Sequence, residues 1–229
     1  MLGIIIILGF SWALLYSTKK GNLNVLGFHP VTKRLKELLI GFLLSSVICA
    51  LTQVIEASLK ETTWVLNTEA NLKLVVIGFW WDFKSVLTEE LVFRGAFLYL
   101  LIEKVGQRKA LMISSICFGI YHWFSMNVFG NVTAMLIIFI GTGLMGYAWA
   151  WAFAKTKSIL LPFGLHLGWN FFLNTIFSKG PLGEMLLTVS DRSELEGWPS
   201  LINFLIWFAL VPALVLLFIR FAVKEEHNS

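Results

Sequence analysis

Long apolar runs separated by short polar joints dominate the chain. A helix that crosses a bilayer needs about 20 mostly apolar residues, within a range of roughly 17 to 25. On that template the pattern predicts seven spans, near 2–16, 37–57, 72–102, 110–126, 132–154, 159–177 and 200–222. The first is short. The third is too long for one straight crossing and is expected to be bent, broken or partly interfacial. No internal repeat is evident, and the longest polar joint, about 178–199, is too small for a core of its own. A single membrane-embedded domain over 1–229 is expected.

Composition sharpens this. Of 229 residues, 57% are hydrophobic and 14% charged, against about 25% charged in soluble domains. A soluble fold of this size buries only about 70% of its surface, so lipid must cover the remaining apolar excess. A soluble enzyme, a nucleic-acid-binding domain and a disordered chain are excluded. Threading the spans places Lys19, Lys20, Lys33, Arg34, Lys36, Lys104, Arg108, Lys109, Lys155, Lys157, Arg220 and Lys224 on one side. Only Lys60, Lys73, Lys179 and Arg192 fall on the other. The net charge of +4 thus marks cytoplasmic joints rather than a nucleic-acid partner, and sets the N-terminus outside and the C-terminus inside. The opening run lacks a basic leader region and an obvious cleavage site, so a retained anchor helix is expected. Cys49 and Cys117 lie in apolar runs and read as buried thiols.

Charges inside a membrane are costly, so each needs a reason. The third span carries Asp82, Lys84, Glu89, Glu90 and Arg94. A solvated loop accommodates Asp82 and Lys84, which do not face each other on a helix. It accommodates Glu89 to Arg94 poorly, because Leu91, Val92 and Phe93 interleave them. Glu90 and Arg94 are four apart on one helix face, the spacing of a salt bridge that offsets part of the burial cost. Glu89 points about 100° away and lacks that partner. An unpaired carboxylate in an apolar setting is a candidate general base or acid.

Two histidines also lie in spans. His122 closes Phe118-Gly119-Ile120-Tyr121-His122, and His166 opens His166-Leu167-Gly168-Trp169-Asn170. A lone membrane histidine is most often a satisfied polar residue. Two of them with Glu89 and Asn170 make four polar groups that should seek one another in lipid, which predicts an intramembrane polar cavity. His166 and Asn170 share a face one turn apart. Gly164 and Gly168 lie nearly opposite, in the spacing that lets two helices approach closely. Counted from the inner ends at about 1.5 Å per residue, Glu89 and His122 lie about 18–20 Å deep and His166 about 11 Å. A bend in the third span or a boundary shift of a few residues would close that gap.

Glu89-Glu90-x-x-x-Arg94, Phe118-x-x-x-His122 and His166-x-x-x-Asn170, in this order on separate membrane helices, resemble the CPBP family. That family comprises the type II CAAX prenyl endopeptidases and the bacterial Abi proteins linked to bacteriocin self-immunity. The resemblance covers about 85–175, including Phe93-Arg94-Gly95. It implies an all-α intramembrane endopeptidase whose cavity is reached from the membrane and the cytosol. Catalytic roles then fall to Glu89 and His122, which would activate water, and to His166 and Asn170, which would stabilise the oxyanion. Glu90, Arg94 and Phe118 would support them. Members are commonly called metalloproteases. A metal-free mechanism is favoured here, with zinc on Glu89, His122 and His166 as the alternative. Implied partners are membrane lipid and a peptide, prenylated or membrane-protein substrate, with no nucleic acid. A non-catalytic immunity or binding protein, and a proton- or ion-coupled transporter, are the competing classes. The compact length favours a bacterial plasma membrane.

Overall fold

The computed structural model describes residues 2–19, 21–190 and 194–226. Lys20 and Arg192, two of the charges threaded above, lie outside the described residues. Helix α1 covers Leu2–Lys19 and α2 covers Val31–Leu59. The third span forms α3 (Leu72–Phe93) and α4 (Ala96–Val105), followed by α5 (Gln107–Ser125) and α6 (Val132–Thr156). Helix α7 (Leu160–Asn170) runs on into a π-helical turn, Phe171–Ile176. Helices α8 (Gly197–Leu205) and α9 (Val211–Phe221) form one rod joined by a second π turn. The expected all-α membrane bundle is what the chain folds into. Among the described residues, three helices are long and apolar enough to cross a membrane: Val31–Leu59, Val132–Thr156 and Gly197–Phe221. Leu2–Thr18 is apolar and shorter. The other expected spans fall below that measure, α3 because of its internal charges and α7 because it is short.

The long third span is broken, as its length required. Asn71 caps the start of α3 by accepting a hydrogen bond from the Leu74 amide at 3.0 Å. The helix stops at Arg94-Gly95. A Cβ on Gly95 would lie 2.2 Å from the Leu91 carbonyl oxygen, so only glycine fits the break. Helix α4 then packs with Leu23, Leu26 and Ile159 at the basic end of the bundle. The broken pair α3–α4 therefore crosses the bundle once.

Charge partition and structure agree on two ends. At one, Arg34 forms ion pairs with Glu37 and Glu226 and donates to the Thr156 carbonyl at 2.9 Å. Lys33 pairs with Glu226 as well. Lys155 donates from Nζ to the Ile219 carbonyl at 2.9 Å, satisfying an otherwise orphaned group at the end of α9. At the other end, Lys60 and Lys179 both pair with Glu56 at 2.9 and 2.8 Å. There the polar joint about 178–199 contributes a feature absent from the helical pattern. Strand β1 (Trp64–Leu66) pairs antiparallel with β2 (Leu187–Val189), Val65 opposite Thr188.

The glycine spacing on α7 does what it predicted. A Cβ on Gly164 would meet the Leu38 carbonyl oxygen at 2.2 Å, and one on Gly168 the Phe42 carbonyl oxygen at 2.2 Å. Helices α2 and α7 are thus in backbone contact. Ser45 and Ser46 donate across this seam to the carbonyls of Leu165 and Gly168. The seam holds α7 still and turns its other face, with His166 and Asn170, inward. Cys49 and Cys117 are free thiols, Cys49 buried and Cys117 partly so.

Candidate active site

Three helices build the site, each with one face. On α3 the four-residue stripe Trp81, Ser85 and Glu89 lines a cavity of about 940 Å³. Phe118 and His122 of α5, and His166 and Asn170 of α7, line the same cavity. All four residues expected to be catalytic therefore meet, although their depths along the separate spans differ.

Glu90 departs from its neighbour's cavity-facing role, as a 100° rotation requires. It is fully buried, and Oε1 lies 2.9 Å from Arg94 Nη2 in the expected four-residue ion pair. That pairing is a contact of charges rather than a well-aligned hydrogen bond, because no nitrogen of the Arg94 guanidinium finds a hydrogen-bond acceptor. Aromatic faces complete its surroundings. Its carbon lies 4.3 Å from the Phe118 ring centre and 5.1 Å from that of Trp149, within cation–π range. Phe118 thus supports the site by covering the buried cation.

Glu90 also accepts a hydrogen bond from His166 Nδ1 at 2.8 Å, a contact that spacing alone does not reveal. The proton on Nδ1 fixes the ring's orientation and leaves Nε2 as the free nitrogen. Nε2 faces Glu89, 3.9 Å from its Oε2. Trp149 stacks on the same imidazole, with ring centres 3.9 Å apart and planes at 18°. His122 is set by the same logic. Its Nδ1 donates to the Phe118 carbonyl, one turn back, at 2.8 Å, which again leaves Nε2 free. The four-residue spacing of Phe118 and His122 therefore has a backbone meaning as well as a side-chain one.

Asp82 is a correction. It is not in a solvated loop but in the middle of α3, with none of its surface exposed. Asn174 donates to its Oδ1 at 2.6 Å and Thr175 to its Oδ2 at 3.0 Å. Both donors belong to the π turn that follows Asn170, and Asn174 also lines the cavity. Lys84, read with Asp82 as loop, is likewise helical, its ammonium 5.9 Å from the Trp80 ring centre. The sequence carried one usable signal: His166, Asn170 and Asn174 form a polar stripe at four-residue steps, and a buried acid beside that stripe has somewhere to bond.

The free Nε2 atoms of two histidines, each anchored through Nδ1, suit metal ligands in kind. The placement does not. Among the described residues no three His, Cys, Asp or Glu side chains converge to hold a metal ion.

The extent of the cavity follows from the residues that line it. It reaches Ser125, Asn127 and Pro181 at the end away from the basic cluster, and Ile137 and Phe204 between α6 and α8. Arg94, Phe118 and Trp149, all buried, close it toward the basic end.

Residues 71–172 match the family model described as type II CAAX prenyl endopeptidase, Rce1-like. The match runs from the cap of α3 to just past Asn170 and contains all three motifs. No curated protein and no solved structure matches the chain.

Proposed function

We propose, from the match of residues 71–172 to the Rce1-like type II CAAX prenyl endopeptidase family model, that this membrane protein is an intramembrane endopeptidase. The observation that carries the proposal is the convergence of Glu89, His122, His166 and Asn170 on one cavity. Water held between Glu89 and His122 Nε2 attacks the scissile carbonyl, and its proton passes to Glu89. In its doubly protonated form His166 donates from Nε2 to the developing oxyanion, beside the Asn170 amide. Preorganised donors of this kind are usually the largest single contribution to acyl-transfer catalysis. Glu90 anchors His166 from behind, as the buried carboxylate does in a catalytic triad. Glu89 finally returns the proton to the leaving amine, so the peptide bond is replaced by a carboxylic acid and an amine with no other reactant than water.

The orientation follows the basic residues, with the N-terminus outside and the C-terminus in the cytoplasm of a bacterial cell. The sequence shows no internal repeat and no pair of discontinuous helices of the transporter kind, which favours a protease over a transporter. The test is cleavage of a quenched apolar peptide by detergent-purified protein. Wild type is expected to cleave, and His122→Ala to be folded and inactive. A folded His122→Ala with wild-type turnover would overturn the proposed chemistry.

A further inference from the structure

Asp82 is fully buried and takes no part in the proposed chemistry. Resting on the endopeptidase reading, we propose that it is a positioning residue: through the π turn after α7 it holds the Asn170 amide where the oxyanion forms.

Asn170 is not held by its own side chain. That side chain lines the cavity and has no hydrogen-bond partner among the described residues, so its direction follows the backbone. The glycine seam with α2 makes its last close approach at Gly168. Beyond Asn170 the helix widens into the π turn Phe171–Ile176, closed by the Phe177 amide donating to the Phe172 carbonyl at 2.8 Å. Such turns interrupt the regular helical ladder and are frequent at functional sites. Whatever fixes this turn fixes Asn170.

Two ties to α3 bracket that residue. On one side, His166 Nδ1 donates to Glu90 at 2.8 Å. On the other, Asn174 and Thr175 donate to the two oxygens of Asp82 at 2.6 and 3.0 Å. Asn170 is four residues from His166 and four from Asn174, about one helical turn from each. The tied positions on α3, Asp82 and Glu90, are eight residues apart, as His166 and Asn174 are, so the two elements match in length with Asn170 between the ties. Adjacent residues of a regular helix point about 100° apart, yet in the π turn Asn174 and Thr175 both reach one carboxylate. Room is left for this. A Cβ on Gly78, one turn before Asp82 on α3, would collide with the Thr175 side chain, and one on Gly180 with that of Asn174. A buried carboxylate is costly inside a membrane, and its two donors offset that cost only while the turn keeps this geometry.

The test is steady-state cleavage of the quenched apolar peptide by detergent-purified protein, with single and double variants. Asn170→Ala should lower kcat by about 10²–10³, the loss of one oxyanion donor. Asp82→Asn should lower kcat by about tenfold or more with KM unchanged, because a displacement of about 1 Å can cost about a hundredfold. Added to Asn170→Ala, Asp82→Asn should cost nothing further, since the donor it positions is gone. Thr175→Val keeps the shape of the side chain and removes one donor. It should repeat both results more weakly, and it serves if Asp82→Asn fails to fold. Wild-type kcat in any of these folded single variants, or losses that multiply in the doubles, would overturn the proposal. Absence of cleavage by wild type would instead remove the endopeptidase reading beneath it. The tie is also read without turnover. Amide hydrogen exchange over residues 171–177 should quicken by about tenfold in Thr175→Val, and unchanged exchange would overturn the proposal.

Discussion

Removing Glu90 should cost more than removing any other acid in the protein, and the structure gives the size. Glu90 and Arg94 are both fully buried and 2.9 Å apart. In Glu90→Ala the guanidinium keeps its charge against the rings of Phe118 and Trp149. Breaking a buried pair in this way costs about 3–5 kcal/mol. His166 Nδ1 loses its acceptor in the same stroke, which adds about 1–3 kcal/mol for a buried donor left unsatisfied. Against a total stability of about 5–15 kcal/mol, that is about a quarter or more of what holds the fold. With about 2–4 °C per kcal/mol for a chain of this length, the first contribution alone lowers Tm by about 6–20 °C. Replacing both partners, Glu90→Gln with Arg94→Met, removes the stranded charge and keeps an acceptor for His166. The double variant should recover most of the loss. The assay is thermal unfolding in detergent for both single variants and the double, read as a cycle. A Glu90→Ala protein melting within 2 °C of wild type, or a double variant no better than Glu90→Ala, would refute this account of the pair.

Three further outcomes follow from the same contacts. Asp82→Asn turns one of its two acceptors into a donor facing a donor, and should lower kcat with little change in KM as the turn carrying Asn174 shifts Asn170; the exchange Asp82→Asn with Asn174→Asp restores the pattern and should restore kcat. Gly168→Ala forces a Cβ to within 2.2 Å of the Phe42 carbonyl oxygen and should lower Tm by the equivalent of about 1–3 kcal/mol, whereas Gly141→Ala meets no atom closer than 3.9 Å and should leave Tm unchanged. Elemental analysis of active, purified protein should find zinc well below one per chain, and chelators should spare cleavage. One tightly held zinc that is lost in His122→Ala or His166→Ala would defeat the metal-free chemistry.

The positions of most helices, an interruption in the third span, the close-packing glycine face of α7 and the Glu90–Arg94 pair were legible in the sequence, and for one reason, whereas the start of α2 at Val31, six residues ahead of its expected end, was not. Each depends on residues close together in the chain, where lipid imposes helix and helix imposes a period. What else was illegible is long-range. Asp82 is 92 residues from Asn174, and nothing local distinguishes an acid that will find two donors from one that will find water. The bond from His166 to Glu90 spans 76 residues and depends on how α3 and α7 are rotated against each other. Strands of three residues are too short to impose an alternating pattern, so β1 and β2 left no trace. The side on which the cavity closes rests on Arg94, Phe118 and Trp149 meeting from three helices, which no single helix face encodes.

The account centres on Glu89 as the general base, held free of the ion pair that occupies its neighbour. Glu89→Gln keeps the shape and hydrogen-bonding capacity of the side chain and removes the base, at a position whose side chain is 13% exposed on the cavity wall. Cleavage of the quenched peptide and Tm, measured on one preparation of Glu89→Gln, test this most directly. The account predicts a wild-type Tm with cleavage abolished. Retained cleavage by Glu89→Gln, beside a folded Glu90→Gln that has none, would contradict it and move the base by one residue.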